Sequence, residues 1–247
     1  MAKNKLAKFA DMATYSNVFQ YDFETLKREG FPLRGRWHTH FKNDHPITLE
    51  LGCGKGEYTV GLARAYPREN FIGIDIKGAR MWKGATQALK ENLTNVAFLR
   101  TRVELLNRFF TENEVSEIWI TFPDPQMKKV NKRLTSTRFM KEYNRVLKPG
   151  GIIHLKTDSN FLYQYTRAMI QESGLELLAE SDDLYNSELL DDALSIRTFY
   201  EQQWLERGIN IKYIRLLCSK EREVEWREPE VEIDRDDYRS FGRNARV

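Results

Sequence analysis

From Pro46 onward, short apolar runs alternate with amphipathic stretches along the chain. Ile47–Leu51 reads as a strand that ends in glycines, and the spacing from about Glu57 to Ala65 predicts a helix closed by Tyr66-Pro67. The same rhythm gives a strand at Phe71–Asp75 and a helix at Ala79–Asn92, then a strand at Val96–Thr101 and a short helix at Val103–Phe110. Ile118–Phe122 and Ile152–Thr157 follow as strands, each trailed by a helix, at Thr137–Leu147 and Phe161–Ser173. Strands alternating with helices in this way predict a doubly wound α/β domain, a parallel sheet with helices on both faces. Beyond Leu175 the alternation loosens. Ser181–Arg207 is acidic and then aromatic, and reads as a loop-rich insertion. Lys212–Cys218 alternates as a last strand, antiparallel at the sheet edge.

The two ends differ from this body, so the chain divides into an N-terminal extension (1–45), a main domain (46–219) and a charged tail (220–247). The extension spreads Phe9, Tyr15, Phe19, Tyr21, Phe23, Trp37 and Phe41 among eight Lys/Arg, with no clear alternation of strand and helix. It is expected to pack on the main domain. The tail from Lys220 mixes seven Lys/Arg with nine Asp/Glu and few aliphatics, a composition that on its own reads as disordered. Trp226, Tyr238 and Phe241 are the residues expected to pin it down.

Composition narrows the classes without choosing among them. In 247 residues, 41% are hydrophobic and 30% charged, which permits an ordinary core, and a net charge of +3 leaves any nucleic-acid partner to be decided by local clustering. Two cysteines, Cys53 and Cys218, far apart, imply neither a disulfide framework nor a zinc module, and fit a reducing cytoplasm. No run approaches the roughly 18 apolar residues of a membrane span, so no membrane association is expected.

Chemistry concentrates at the predicted strand ends. Glu50-Leu51-Gly52-Cys53-Gly54-Lys55-Gly56 lies between the first main-domain strand and its helix, where glycines let the backbone approach a ligand at the switch point of an open sheet. Asp75 closes the next strand, where an acid holds a ribose diol in both dinucleotide and adenosylmethionine sites, and alone it separates neither. Glu50 does: a carboxylate there repels a pyrophosphate but suits the ammonium or sulfonium of a methionine moiety. The spacing Gly52-x-Gly54-x-Gly56 also departs from the dinucleotide form.

Thr121-Phe122-Pro123-Asp124-Pro125 ends the fourth strand, with the two prolines stiffening the loop that carries Asp124. Lys128, Lys129, Lys132, Arg133, Arg138, Lys141, Arg145 and Lys148 then place eight cations against one acid, Glu142, beside that loop. A charge run is usually a solvated face; its position favours phosphate contact. Lys156-Thr157-Asp158 ends the fifth strand at the same edge, so Asp158 is expected to face substrate. His38, His40, His45 and His154 form no metal-ligand pattern, and no metal is expected.

Together these residues resemble bacterial tRNA (guanine-N(7)-)-methyltransferases, most specifically in Phe122-Pro123-Asp124-Pro125 followed by Lys128-Lys129 and Lys132-Arg133-Leu134-Thr135. The resemblance runs from about Ile47 to Cys218. It implies a seven-stranded Rossmann-like sheet with the last strand pair reversed, S-adenosyl-L-methionine as methyl donor, and a guanine of the tRNA variable loop as target. It places Glu50, Gly52, Gly54, Gly56, Asp75, Arg102 and Asp124 at the donor, with Asp124 as the catalytic acid. Lys128, Asp158 and Thr198-Phe199-Tyr200-Glu201, which matches the family's Thr-x-x-Glu element, would meet the substrate. Lys129, Lys132 and Arg133 would hold the RNA backbone. The chain departs from the family at Gln126-Met127, where Trp-Pro is usual, and at Arg102, where an acid is usual and any donor contact must come through the backbone. An NAD-linked oxidoreductase, a methyltransferase for another base or a small molecule, and an RNA-binding protein on a retired methyltransferase fold are the competing readings.

Overall fold

Residues of the central strands alternate between two buried sides, which is what the continuous apolar runs encode. The computed structural model describes residues 2–21, 23–218 and 224–238. In chain order its elements are α1 (Ala2–Ala13), β1 (Val18–Gln20), α2 (Phe23–Glu29), α3 (Trp37–Phe41), β2 (Ile47–Leu51), α4 (Glu57–Ala65), β3 (Asn70–Ile74) and α5 (Gly78–Lys90). Next come β4 (Val96–Arg100), α6 (Leu106–Phe109), β5 (Val115–Thr121), α7 (Thr137–Val146), β6 (Leu147–Thr157), α8 (Asn160–Glu172), β7 (Glu176–Ser181), α9 (Phe199–Glu206) and β8 (Lys212–Cys218).

The sheet runs in the order β1-β4-β3-β2-β5-β6-β8-β7. Strands β1 to β6 are parallel, and β8 is antiparallel to both β6 and β7. Two expectations need correction. The sheet has eight strands and not seven, because the extension contributes β1, paired with β4 from Val18↔Phe98 to Gln20↔Arg100. Three residues are too few to write a period in sequence. β8 is also not an edge strand; β7 takes that place, and its exposed and half-buried residues leave no alternation to read.

One core cluster collects Leu49, Leu51, Ile72, Ile74, Leu99, Ile118, Ile120 and Leu155 from one sheet face; the other collects Phe71, Val96, Phe98, Trp119 and Tyr213 from the opposite face. The extension is built into the first. Trp37, Phe31 and Phe41 are buried there, and the Trp37 indole donates to the Phe109 carbonyl at 3.2 Å.

Residues 224–238 carry no regular structure, yet they lie along the body. Trp226 and Ile233 pack on the first cluster, and Tyr238 lies edge-on to Trp204 at 5.4 Å. Phe241, the third expected anchor, lies outside the described residues. Among those residues no helix is long and apolar enough to cross a membrane.

Candidate active site

At the C-terminal edge of the parallel strands lies a cleft of about 530 Å³, whose lining includes Glu50, Gly52, Gly54, Asp75, Thr121, Asp124, Lys132, Asp158, Thr198, Tyr200 and Trp204. One wall is the turn after β2. Gly52 and Gly54 take φ of 78° and 55°, a region costly for other residues, and a Cβ on Gly52 would enter open space. The turn is fastened to the end of β3: Gly52 N–H and Cys53 N–H donate to the Ile74 carbonyl, and Gly54 N–H donates to Asp75 Oδ2 at 2.9 Å. Lys77 N–H donates to Asp75 Oδ1 at 2.7 Å, and the half-buried carboxylate keeps lone pairs toward the cleft. Gly56, expected at the donor, turns inward instead. A Cβ there would lie 2.6 Å from Phe98 Cε1, so its bareness lets α4 settle on α5 and β4.

Glu50 forms the floor. It is 2% exposed, with Oε1 accepting from the Thr121 hydroxyl at 2.6 Å and Oε2 from Thr59 N–H at 2.8 Å and the Thr59 hydroxyl. Burial pushes its carboxyl up to about 7, against the pull of the Thr121 and Thr59 hydrogen bonds, and Asp75 adds repulsion. An anion so placed is short of a counter-charge, which a cationic ligand supplies. Beside it, burial raises the Cys53 thiol well above its usual range, with Glu50 and Asp75 adding to the effect, so it is no nucleophile.

The opposite wall is the loop after β5. Phe122 and Gln126 both take φ of 48°, so two left-handed residues bracket Asp124. Pro123 and Pro125 are buried and Asp124 is exposed, with Oδ1 accepting from Gln126 N–H at 3.0 Å. Phe122 N–H donates to the Lys156 carbonyl at 2.8 Å. Arg133 clamps the other end: its guanidinium donates to the carbonyls of Pro125 and Gln126 at 3.0 and 3.1 Å and lies over the rings of Phe161 and Tyr165. This corrects the expectation for Arg133. It is 3% exposed, and its donors position the loop that carries Asp124 and are not offered to a phosphate.

Its neighbours divide by position. Lys128, Lys129 and Lys132 are exposed, and of the three Lys132 lines the cleft. Lys148 is the second residue of β6 and therefore lies at the far end of that strand from Asp158. The basic run is not one surface.

The third side comes from late in the chain. Asp158 is fully buried behind the cleft surface and accepts from the Tyr238 hydroxyl at 2.8 Å. Thr198 caps α9 in a reciprocal capping box with Glu201, and Tyr200 faces the cleft. Phe199 stands outside it, exposed, with the Lys55 ammonium 3.5 Å from its ring centre. Glu201 does not reach the cleft. It is 0% exposed and ion-paired at 2.8 Å with Lys156, also 0% exposed, while the Tyr185 hydroxyl donates to it at 2.6 Å. Lys156 also donates to the carbonyls of Leu194 and Ile196 at 2.7 and 3.0 Å, tying residues 194–201 to β6. Of the Thr198–Glu201 stretch expected at the substrate, Thr198 and Tyr200 thus line the cleft, while Glu201 is engaged with Lys156. Arg102 is likewise outside the cleft, exposed in a separate groove with Ile76 and Tyr21. Among the described residues no three His, Cys, Asp or Glu side chains come together as a metal site.

Lys156, Thr59, Trp204 and Tyr238 are the site residues that sequence reasoning passed over. Lys156 had a signal, since a lysine inside a strand buried on both faces needs a partner.

A glycine turn held by the acid of the next strand, over a buried glutamate with no counter-charge of its own, on a sheet whose last strand pair is reversed, defines the S-adenosylmethionine-dependent methyltransferases. Comparison with known proteins agrees. The family model described as "Putative methyltransferase" matches residues 44–214. The tRNA (guanine-N(7)-)-methyltransferase of Bacteroides fragilis is 59% identical over 247 residues, covering 100% of this chain and 97% of that protein. The protein of that name from Clostridium novyi is 37% identical, covering 75% of this chain and 87% of its own. Among solved structures, the 16S rRNA methyltransferase KamB shares the fold, with a TM-score of 0.56 at 15% identity over 81% of this chain and 95% of that one. The chain belongs to the tRNA (guanine-N(7)-)-methyltransferase family.

Proposed function

We propose that this protein transfers a methyl group from S-adenosylmethionine to N(7) of a guanine in tRNA, at a variable-loop base. The observation that carries the reading is Asp124, held on a doubly strained loop across one cleft from the glycine turn, Glu50 and Asp75. S-adenosylmethionine supplies an electrophilic methyl on a cationic sulfur. Glu50 takes the ammonium end and Asp75 the ribose hydroxyls, while Gly52 and Gly54 leave the turn open for close approach. Guanine N(7) has a lone pair and no proton, so no strong general base is needed. That agrees with an active cleft whose lining, among the described residues, holds no histidine. Asp124 orients the guanine and stabilises the positive charge that grows on the purine, and the rest of the catalysis is alignment. Thr198, Tyr200 and Asp158 form the substrate side, and Lys128, Lys129 and Lys132 hold the RNA backbone. Label transfer from methyl-labelled S-adenosylmethionine to unmodified tRNA, with nucleoside analysis and mapping of the position, tests this. 7-Methylguanosine in the variable loop is expected, and label in another nucleoside overturns the target.

Two further expectations arise from the geometry. Because burial lifts Glu50 to about 7, the free protein holds a proton there below that pH, and a cationic donor must expel it. Donor affinity is therefore expected to rise through pH 7 and to fall about tenfold per unit below it. Calorimetric titration with S-adenosylmethionine across about pH 6–8 checks this. Glu50→Gln is expected to bind the donor weakly with no slope, and an unchanged slope would place the titration elsewhere. Lys132→Ala is expected to weaken tRNA binding and reduce the salt slope of log K by about one. Arg133→Ala, which removes a loop clamp, is expected to lower turnover while leaving that slope unchanged.

A further inference from the structure

We infer that the segment from Glu228 to Tyr238 completes the substrate side of this active site, with Tyr238 as the positioning residue for Asp158. The segment lies beyond residues 44–214, which the family model matches, and within the 247 residues aligned with the Bacteroides fragilis relative.

Its acids fasten two helix N-termini, replacing a missing cap at α7 and adding to the Ser159 cap at α8. At α7 the N-cap residue Ser136 makes no side-chain cap bond; Glu228 accepts instead from Thr137 N–H at 2.7 Å and from the Thr137 hydroxyl at 2.6 Å. The second oxygen of Glu228 accepts from the Tyr165 hydroxyl, and Tyr165 is the ring on which Arg133 lies. At α8, Asp236 is 6% exposed and accepts from Phe161 N–H at 3.1 Å and from the hydroxyl of Ser159, the N-cap residue. A carboxylate at a helix N-terminus offsets both the orphan N–H groups and the helix dipole. The two helices so tied are the ones that follow the Lys128–Arg133 loop and Asp158.

The chain then delivers Tyr238, whose hydroxyl donates to Asp158 Oδ2 at 2.8 Å and whose ring rests edge-on against Trp204, a cleft residue, at 5.4 Å. A carboxylate with a fixed donor on one oxygen is held in a set direction, and a purine edge is read by direction. Tyr238 therefore sets how Asp158 meets the guanine. This rests on the reading of Asp158 as a substrate-side acid.

Tyr238→Phe removes one oxygen and keeps the ring on Trp204, so it tests the hydrogen bond alone. With the full-length protein and unmodified tRNA, kcat/KM for tRNA is expected to fall about tenfold. The affinity for S-adenosylmethionine should stay at its unsubstituted value, and the melting temperature should fall by a few degrees, the scale of one lost buried hydrogen bond. Added to Asp158→Ala, the same change is expected to cause no further loss, because the group it acts through is gone. Losses that multiply in the double variant, or a Tyr238→Phe enzyme equal to the unsubstituted one on tRNA, would overturn the inference and leave the segment a strut. Should Asp158→Ala not fold, the single variant decides, since a merely structural role would move donor binding together with tRNA kinetics. An unsubstituted enzyme that transfers no methyl to tRNA would instead refute the proposed function, and this inference with it.

Discussion

Glu201→Ala is expected to cost about 3–5 kcal/mol of folding free energy, because it strands a fully buried lysine. Lys156 would keep the carbonyls of Leu194 and Ile196, a long contact to the Tyr185 hydroxyl at 3.5 Å and the faces of the Tyr58 and Tyr185 rings, none of which carries a charge to offset its own. Burial already pulls its ammonium down and Glu201 opposes that, so losing the carboxylate drives the lysine toward its neutral form. The capping box of α9 goes at the same time. Methyl transfer should fall with stability, because residues 194–201 bring Thr198 and Tyr200 to the cleft. The double variant Lys156→Met, Glu201→Leu is expected to recover most of the stability, since a well-packed apolar pair avoids the desolvation of two charges. Urea unfolding of the three proteins makes the comparison. A loss below about 1 kcal/mol for Glu201→Ala would mean that water reaches the pair, as in exposed ion pairs.

The second large effect is chemical. Asp124→Ala is expected to reduce kcat by about 10²–10³-fold, the scale of removing one preorganised group that meets developing charge. Affinity for S-adenosylmethionine should change little, because Glu50 and Asp75 lie on separate strands and the Asp124 side chain donates nothing to them. Stability should hold too, since the exposed carboxylate makes one hydrogen bond, from its own loop at Gln126. Asp124→Asn keeps that turn and separates charge from shape. If it turns over like the unsubstituted enzyme, orientation and not charge is the contribution. Single-turnover rates with donor in excess isolate this step, and a near-normal rate for Asp124→Ala would remove Asp124 from catalysis.

The parts of the fold written in period were legible. α4 and β8 fall at the expected residues because each buries one regular stripe or face. β1 and β7 were not legible, since one is three residues long and the other lies half-exposed at the sheet edge. At the site, the acids at strand ends were readable because topology alone brings those ends to one edge. Arg133 and Lys132 are adjacent cations with opposite fates, and a charge count cannot tell a buried clamp from a solvated contact. Glu201 carried its own signal, as Thr198-x-x-Glu201 is spelled like a capping box. Tyr238 was legible as an anchor of the tail but not as a neighbour of Asp158. Nothing in a mixed-charge tail announces which aromatic returns to the active site, because that depends on where the preceding strand leaves the chain.

β1 has a consequence for how the polypeptide survives its own synthesis. The residues that shield the open side of β4 are made early, yet their partners Phe98 to Arg100 come about eighty positions later. Until that distant parallel pairing closes, β4 presents bare amides and carbonyls, the template on which chains aggregate. A version lacking residues 1–45 would keep every proposed catalytic side chain and still hold that flank unpaired permanently. Low solubility, and not loss of chemistry, would be the first symptom of trimming the enzyme to the part that the family model matches.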